Sequence, residues 1–345
     1  GTHLTTPVEA VAWLVAVQSQ DYTGAKLGLG LRLRGVGDAD MDRAFDAGAI
    51  LRTHVLRPTW HFVAPDDIRW LLALTGPRVH QVNSGMYRQL ELDDPTLSRC
   101  AALMTRELAG GRPLTRHELK AALEREGISV AGGRDRSGQR LAYIVMWAEL
   151  EGILGSGPRR GKQFTYMLLD ERAPQARTLA RDEALAELAG RYFRSRGPAT
   201  AHDLVKWSGL TVSDARLGLE AVKDGLSREV VDGQEVWFPP ATPVRDESPT
   251  AYLLSIYDEY FSSYKSSRAI VTAEDAAQLM TMGNALTHII VLDGRIAGTW
   301  RRTFSKGAVG IELNPFRQLT EGERAAIARA AERCGEFFGL AVELS

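Results

Sequence analysis

Apolar residues near the start of the chain recur at the three- and four-residue spacing of an amphipathic helix. They are Val8, Val11, Ala12 and Val15. Thr6 precedes this run as a helix cap, a proline occupies the first helical position, and Glu9 completes a capping box. The pattern predicts a helix that ends near Val17 and places Gln18 and Gln20 close to its carboxyl end.

A two-residue period between positions 55 and 63 indicates a β-strand. Arg57, Thr59 and His61 fall on one face of this strand. Trp60 and Phe62 fall on the other face. The proline at position 58 favours an edge strand, because proline cannot donate to a ladder. The polar face therefore either contacts a ligand or is an ordinary solvated strand face.

Two later stretches, 95–175 and 176–240, repeat one order of elements. Each has a helix, a second helix that starts at a Pro-x-Thr-x-x-acid-Leu sequence, a further helix and a β-hairpin. The first hairpin carries a basic tip formed by Arg159, Arg160 and Lys162. The recurrence predicts tandem winged-helix modules, which are of the helix-turn-helix type that binds DNA. The alternative is two unrelated helical subdomains, with the basic tip as an exposed loop.

The last segment, 241–345, follows a linker marked by Pro239, Pro240 and Pro243. Alternating apolar positions predict strands at 252–256, 288–292, 295–302 and 307–313, helical spacing predicts a helix at 321–338, and a last strand follows at 341–344. Asp293-Gly294 is a hairpin turn between two of these strands. The segment is therefore expected to be a small β-rich, barrel-like domain, and the fold class is expected to be α+β.

Composition limits the function classes without selecting one. The chain has 345 residues and a net charge of −1, which allows two to four domains and gives no overall electrostatic case for nucleic acid. Residues 96–170, however, contain 12 basic and eight acidic side chains. This excess is either a phosphate-binding surface or a solvated arginine-rich surface. No apolar run is long enough to span a bilayer.

Familiar catalytic and metal-binding motifs are missing from the sequence. There is no P-loop, no G-x-S-x-G and no H-E-x-x-H, and only His54 and His61 approach metal-ligand spacing. Cys100 and Cys334 lie far apart, so they predict no metal site and fit a reducing cytoplasm. We therefore expect no metal, no cofactor and a cytoplasmic location.

Four elements taken together resemble the winged-helix bacterial DNA glycosylases typified by AlkZ and YcaQ. They are Gln18-Ser19-Gln20, the strand at 57–61, the stretch at 252–260 and the stretch at 292–300. The resemblance covers nearly the whole chain in the order of the family. It implies three tandem winged-helix modules, at 1–94, 95–175 and 176–240, followed by the β-rich domain at 241–345, with a concave DNA-binding surface.

The resemblance also implies the reaction, which is hydrolysis of the N-glycosidic bond of bulky N7-alkylguanines in double-stranded DNA, some of them in interstrand crosslinks. The active-site element is Gln-x-Gln in the AlkZ branch and Gln-x-Asp in the YcaQ branch, so Gln20 points to the AlkZ branch. Ser19 departs from the aliphatic residue that is common between the two polar positions. The implied protein is a monomeric, monofunctional glycosylase without lyase activity, which protects its host from a genotoxic natural product.

The chemistry of an N7-alkylguanine fits two glutamines. The alkylated base is cationic, so its bond to deoxyribose is already weakened and needs little acid catalysis. Neutral amides are poor general bases, but Gln18 and Gln20 can hold and orient a water molecule if the chain leaves the helix near them. Without the resemblance, they are two polar residues at a helix end.

The remaining candidate residues are assigned to DNA binding or to structure. Arg57, Thr59 and His61 are candidates for contact with DNA phosphate or with the lesion. The basic hairpin tip, with Arg159, Arg160 and Lys162, is a candidate for a wing that enters or flanks a groove. For Asp258 and Glu259 a structural role is favoured over a catalytic one.

A transcriptional regulator is the alternative function. Winged helices in regulators bind undamaged, specific sequences, usually as symmetric dimers. No heptad or other dimerisation helix is evident in the sequence, which disfavours this alternative.

Overall fold

The computed structural model of the chain describes residues 4–130, 138–240, 248–266, 270–281 and 288–345. Pro243, in the predicted linker, lies outside these residues. The fold is α+β, as predicted. Among the helices formed by the described residues, none is long and apolar enough to cross a bilayer.

The N-terminal segment surrounds a small sheet with helices. Its helices are α1 (Pro7–Leu14), α2 (Tyr22–Gly30), α3 (Asp38–Ala47) and α4 (Ile68–Gln89), and its strands are β1 (Ala16–Gln18), β2 (Leu51–Val55) and β3 (Arg57–Val63). The strands form an antiparallel sheet in the order β1-β3-β2. The strand that carries Arg57 and His61 is therefore central, and not an edge strand as the proline at position 58 suggested. Register shifts near His54, so this proline lies at an irregularity that tolerates it.

The next two segments show the recurring order that the sequence predicts. The first contains α5 (Asp94–Leu108), β4 (Leu114–Thr115), α6 (Arg116–Arg125), α7 (Gln139–Leu150), β5 (Leu154–Ser156), β6 (Thr165–Leu168) and α8 (Leu169–Arg172). The second contains α9 (Arg181–Arg196), α10 (Ala201–Ser208), α11 (Val212–Val222), β7 (Ser227–Val231) and β8 (Gln234–Phe238). Capping boxes at Thr115 and Thr200 start α6 and α10, which confirms both predicted starts. Helices followed by a hairpin are the order of a winged helix; DNA binding by these modules stays a prediction.

The C-terminal segment confirms the predicted strands. It contains β9 (Ala251–Leu254), α12 (Glu259–Ser262), α13 (Ala273–Thr281), β10 (His288–Leu292), β11 (Arg295–Ser305), β12 (Ala308–Pro315), α14 (Glu321–Phe338) and β13 (Ala341–Leu344). The strands form one half-barrel sheet in the order β13-β12-β11-β10-β9, in which only the β12–β13 pair is parallel.

Two of the hydrophobic cores cross the predicted domain boundaries. One packs the β1-β3-β2 sheet against α9, α10 and α11, and its largest fully buried side chains include Trp70, Tyr192 and Trp207. Another packs α1, α2 and α3 against the C-terminal sheet and α14, with Phe45 and Trp300 buried between them. The segment with α5, α6 and α7 has a core of its own. The boundaries at 94, 175 and 240 stay a prediction, but the first sheet lies where three segments meet.

The close contact between the end of α10 and the first sheet can be tested by adding a Cβ atom at Gly209. Gly209 ends α10 with φ +72°, and a Cβ at this position would lie 2.4 Å from the carbonyl oxygen of Leu56. Gly233 has a nearly equal φ of +73° in the β7–β8 turn, but a Cβ there would meet nothing within 4 Å. We expect Gly233→Ala to cost about 1 kcal/mol for the left-handed backbone alone. Gly209→Ala should cost about 1–3 kcal/mol more, because backbone must move.

Urea unfolding of the two variants measures this difference. Equal losses of unfolding free energy would show that α10 does not press on Leu56, and would contradict the close approach.

Candidate active site

The Gln18-Ser19-Gln20 element lies on an extended segment and not at a helix end. Helix α1 ends at Leu14, three residues before the predicted end, and Val15 has φ 65° and ψ −55°. The chain then enters β1, and the Ser19 amide continues the ladder by donating to the carbonyl of Trp60 at 2.8 Å. Successive side chains of an extended chain point in opposite directions, so Gln18 and Gln20 point away from the side on which Ser19 lies. Ser19 is fully buried, whereas Gln20 is exposed. From the sequence, both glutamines could reach one site only if the chain leaves the helix near them. The structure meets this condition, because α1 ends at Leu14.

The Gln18 side chain meets a row of polar groups on one face of the first sheet. Its register partner across the sheet is His61, and Thr53 is the partner of His61 on the next strand. The Arg57 guanidinium donates to the Gln18 amide oxygen at 3.4 Å. The same guanidinium donates to the backbone carbonyls of Lys206 and Trp207, which fix it against α10. Arg57 therefore orients the Gln18 carboxamide.

His61 is held as a neutral imidazole. Its Nδ1 lies 2.9 Å from the carbonyl oxygen of Thr59, so Nδ1 carries the proton and Nε2 faces the Arg57 guanidinium at 3.5 Å. The ring is fully buried. Burial, and then the positive charge of Arg57, lowers the pKa of His61 to about 3. In this conformation His61 has neither the exposure nor the charge that contact with a phosphate requires.

A buried carboxylate holds the backbone of the same strand. Glu259 Oε1 accepts the Gln18 amide N–H at 2.9 Å. Its Oε2 accepts from Arg196 at 2.7 Å, from the Trp207 indole at 2.9 Å and from the Ser263 hydroxyl at 2.8 Å. Burial would raise the pKa of Glu259, but Arg196 and the hydrogen bond from the Gln18 amide lower it to about 2. Glu259 is therefore an ionised structural group and a weak base.

The neighbouring Asp258 makes a second link between the N-terminal and C-terminal segments. Arg32, two residues after the end of α2, donates to both of its carboxylate oxygens, at 3.0 and 2.7 Å. Asp258 Oδ1 also accepts the Tyr260 amide at the start of α12. Its oxygens lie so close to α2 that a Cβ on Gly28 would come within 2.8 Å. These contacts support the structural role that was expected for Asp258 and Glu259.

Backbone strain surrounds the candidate site. Val15, Leu56 and Tyr257 have φ between 64° and 65°, a region that costs a residue other than glycine about 1–3 kcal/mol. Each comes shortly before a segment that supplies a site residue, namely Gln18, Arg57 and Glu259. Such strain concentrates at functional sites, because the surrounding structure must hold it in place.

The other residues predicted to contact DNA differ in their exposure and in their partners. Thr59 is half-buried, and among the described residues its hydroxyl has no hydrogen-bond partner. Arg159 is an inward-facing residue, with 19% of its side chain exposed, and it pairs with Asp42 at 2.5 Å. Arg160 is half exposed but pairs with Glu118 at 2.7 Å. Lys162 is exposed at the hairpin tip. The structure thus brings Arg57 and His61 to Gln18. None of the ion pairs described for the hairpin residues involves Gln18.

Three residues of the site had no signal in the sequence. Arg196, Trp207 and Ser263 reach Glu259 from α9, α10 and the end of α12, more than 50 residues away in two cases. An arginine in a last helical turn and a tryptophan in an amphipathic helix are ordinary features, so only the tertiary structure identifies them. Within the described ranges, no group of three His, Cys, Asp or Glu side chains is placed to hold a metal ion.

Comparison with known proteins gives a consistent result. A protein-family model described as DNA glycosylase AlkZ-like matches residues 11–337. An interstrand DNA cross-link repair glycosylase from Streptomyces sahachiroi is 24% identical over 356 residues, which cover 94% of this chain and 90% of that protein. The solved structure of the Streptomyces sahachiroi DNA glycosylase AlkZ matches with a TM-score of 0.79 at 19% identity, covering 99% of this chain and 94% of that one. The structural match shows the fold, and the family match confirms the resemblance inferred from four sequence elements.

Burial of neutral His61 predicts a pH dependence of stability. The pKa of His61 is about 3 in the folded chain and near 6.5 in the unfolded chain, so the unfolded state binds the extra proton between these values. The contribution is complete above pH 6.5 and is lost as the pH falls. Between pH 7.5 and pH 5 this one group should cost about 2 kcal/mol of unfolding free energy.

The variant His61→Gln should show a smaller loss than the unmodified chain over the same pH interval, measured by urea unfolding at each pH. His288, whose pKa burial lowers to about 4, is retained in both proteins and cancels in the comparison. Identical pH slopes would mean that His61 does not titrate as a buried group.

Proposed function

Because the chain belongs to the AlkZ-like DNA glycosylase family, we propose that it hydrolyses the N-glycosidic bond of bulky N7-alkylguanines in double-stranded DNA. Gln18 and Gln20 are the proposed catalytic residues. The proposal extends to interstrand crosslinks, because a relative carries that activity in its name. We further propose that the protein acts as a cytoplasmic monomer that protects its host from a genotoxic natural product.

The observation that carries this proposal is the state of the Gln18 carboxamide. Its oxygen accepts one hydrogen bond from Arg57, which leaves a second lone pair and two N–H donors for other partners. Its backbone is fixed by Glu259. A carboxamide held at both ends can position a water molecule without a search over rotamers, and positioning alone supplies a large part of many rate enhancements.

The proposed reaction needs little proton transfer to the leaving group. Water adds to C1′ of the deoxyribose while the C1′–N9 bond breaks, and the electron pair of that bond passes to the alkylated purine. The base is cationic before the reaction and neutral after it leaves. The proton that water loses passes to solvent. Neutral His61 and ionised Glu259 are poor acids at pH 7, which agrees with a site that does not protonate its leaving group.

Removal of the glutamine amides should abolish base release and preserve DNA binding. We expect Gln18→Ala and Gln20→Ala each to slow single-turnover excision by about 100-fold or more, since each loses a water-orienting group. The measurement uses a panel of duplexes with N7-alkylguanines of increasing size and one interstrand crosslink, followed by alkaline cleavage at abasic sites. Gln318→Ala, which removes an exposed glutamine before α14, is the matched control.

Full excision by the double variant Gln18→Ala/Gln20→Ala would overturn the catalytic assignment. Excision of small adducts but not of bulky ones would overturn the substrate class and leave the assignment of the glutamines intact.

Hydrolysis by water, without an amine nucleophile, predicts that no covalent intermediate forms. Borohydride added during turnover should therefore trap no protein–DNA adduct, and the abasic strand should stay intact until alkali is added. A glycosylase with lyase activity, run in parallel on its own substrate, controls for the trapping. A trapped adduct of this chain would contradict the monofunctional mechanism.

A further inference from the structure

A cavity of about 730 Å³ lies on the other face of the first sheet. Trp60 lines it. Trp60 directly precedes His61 on β3, so its side chain points to the opposite face of the sheet from the Gln18–His61 row. The second wall comes from the segment with α6, α7 and the β5–β6 hairpin. The cavity is within the range of about 300–1,000 Å³ that is typical of ligand sites. It is therefore a space distinct from the candidate active site.

The charged side chains that line the cavity are basic. Arg116, Lys120 and Lys162 border the cavity together with Arg52 and His117, and its described lining contains no carboxylate. Lys162 and Lys120 are exposed. A wall with several cations and no acidic side chain favours an anionic ligand, and phosphate oxygens are the usual partners of such a wall.

The same cavity also has an aromatic and apolar wall. Trp60, Phe164 and Tyr166 present ring surface to it, and Leu141 lies beside them. The Arg52 guanidinium contacts two of these rings, at 4.3 Å from the Trp60 centroid and 4.6 Å from the Phe164 centroid. Aromatic side chains beside a basic groove are the combination with which proteins bind unpaired nucleotides.

Arg52 links this cavity to the glutamine element. Its Nε and Nη2 both donate to the Ser19 carbonyl, each at 3.2 Å. The group that packs on the cavity rings thus also fixes the backbone between Gln18 and Gln20. A ligand that contacts Arg52 in the cavity would therefore be one side chain away from the backbone of the glutamine element.

We propose that this cavity binds one extrahelical nucleotide of the DNA, with its base against the Trp60–Phe164 wall and its phosphates on Lys120 and Lys162. The proposal rests on the proposed function for its DNA partner. It does not require base excision, so undamaged DNA can test it. Holding an unpaired nucleotide here would keep the duplex open next to Gln18 and Gln20.

The first test compares two duplexes that differ only at one bulged position, which carries either 2-aminopurine or an abasic site. The full chain should bind the 2-aminopurine duplex about fivefold or more tightly, since contact of a base with an aromatic ring is worth at least about that factor. Its fluorescence should be quenched on binding. Phe164→Leu keeps an apolar side chain but removes the ring, and should lose both the preference and the quenching.

The second test removes charge without touching the core. Lys162→Ala should lower the slope of log K against log salt by about one for the bulged duplex, because one phosphate contact is lost. Arg329→Ala, which removes an exposed cation from α14, should leave that slope unchanged. The Lys162→Ala variant keeps the proposal testable if Phe164→Leu unfolds. A thermal melt of each protein reports whether it is folded.

Equal affinity for the two bulges, or a slope unchanged by Lys162→Ala, would overturn the nucleotide site. Either result with normal excision of N7-alkylguanine would leave the proposed function standing. Loss of excision in the glutamine variants with the bulge preference retained would support both proposals. A preference for the bulge in a chain that excises no alkylguanine would contradict the proposed function alone.

Discussion

The rest of the candidate site depends on the ion pair and the hydrogen bonds of the Glu259 carboxylate. It is buried and ionised, and it accepts hydrogen bonds from Gln18, Arg196, Trp207 and Ser263. These donors belong to the first strand, to two helices of the segment at 176–240 and to the C-terminal segment. Removing one partner of a buried ion pair typically costs about 3–5 kcal/mol. The backbone position of Gln18 is therefore fixed only when all three segments have assembled.

The electrostatics around this carboxylate leave the Gln18 amide without a free acid among the described residues of the site. Arg196 balances Glu259, Arg57 supplies a second positive charge to the amide oxygen, and His61 stays neutral because burial and Arg57 both oppose its protonation. Such a site cannot select among substrates by protonating their leaving groups. For the cationic substrate that we propose this is no disadvantage, and selectivity would then depend on the shape and charge of the surfaces that we propose to contact the DNA.

The sequence predicted local structure well, because its local chemistry is explicit. Caps at Thr115 and Thr200, and the Asp293-Gly294 turn, each depend on residues within four positions of one another. Features that depend on distant partners were not predictable. Alternation along one strand indicated that His61 and Arg57 share a face, but it could not show that α10 covers this face. Likewise, Arg159 reads as a basic hairpin tip until Asp42 of α3 is seen to pair with it.

The residue between the two glutamines shows how tightly this element is held. The Ser19 amide donates to Trp60, its carbonyl accepts from Arg52, and the preceding amide donates to Glu259. Its side chain lies in the interior, and in the part of the chain that the structure describes its hydroxyl has no hydrogen-bond partner. A buried, unpartnered hydroxyl costs about 1–3 kcal/mol, so this position is suited to an aliphatic side chain. These backbone contacts with Trp60, Arg52 and Glu259, rather than the identity of residue 19, therefore determine where Gln18 and Gln20 lie.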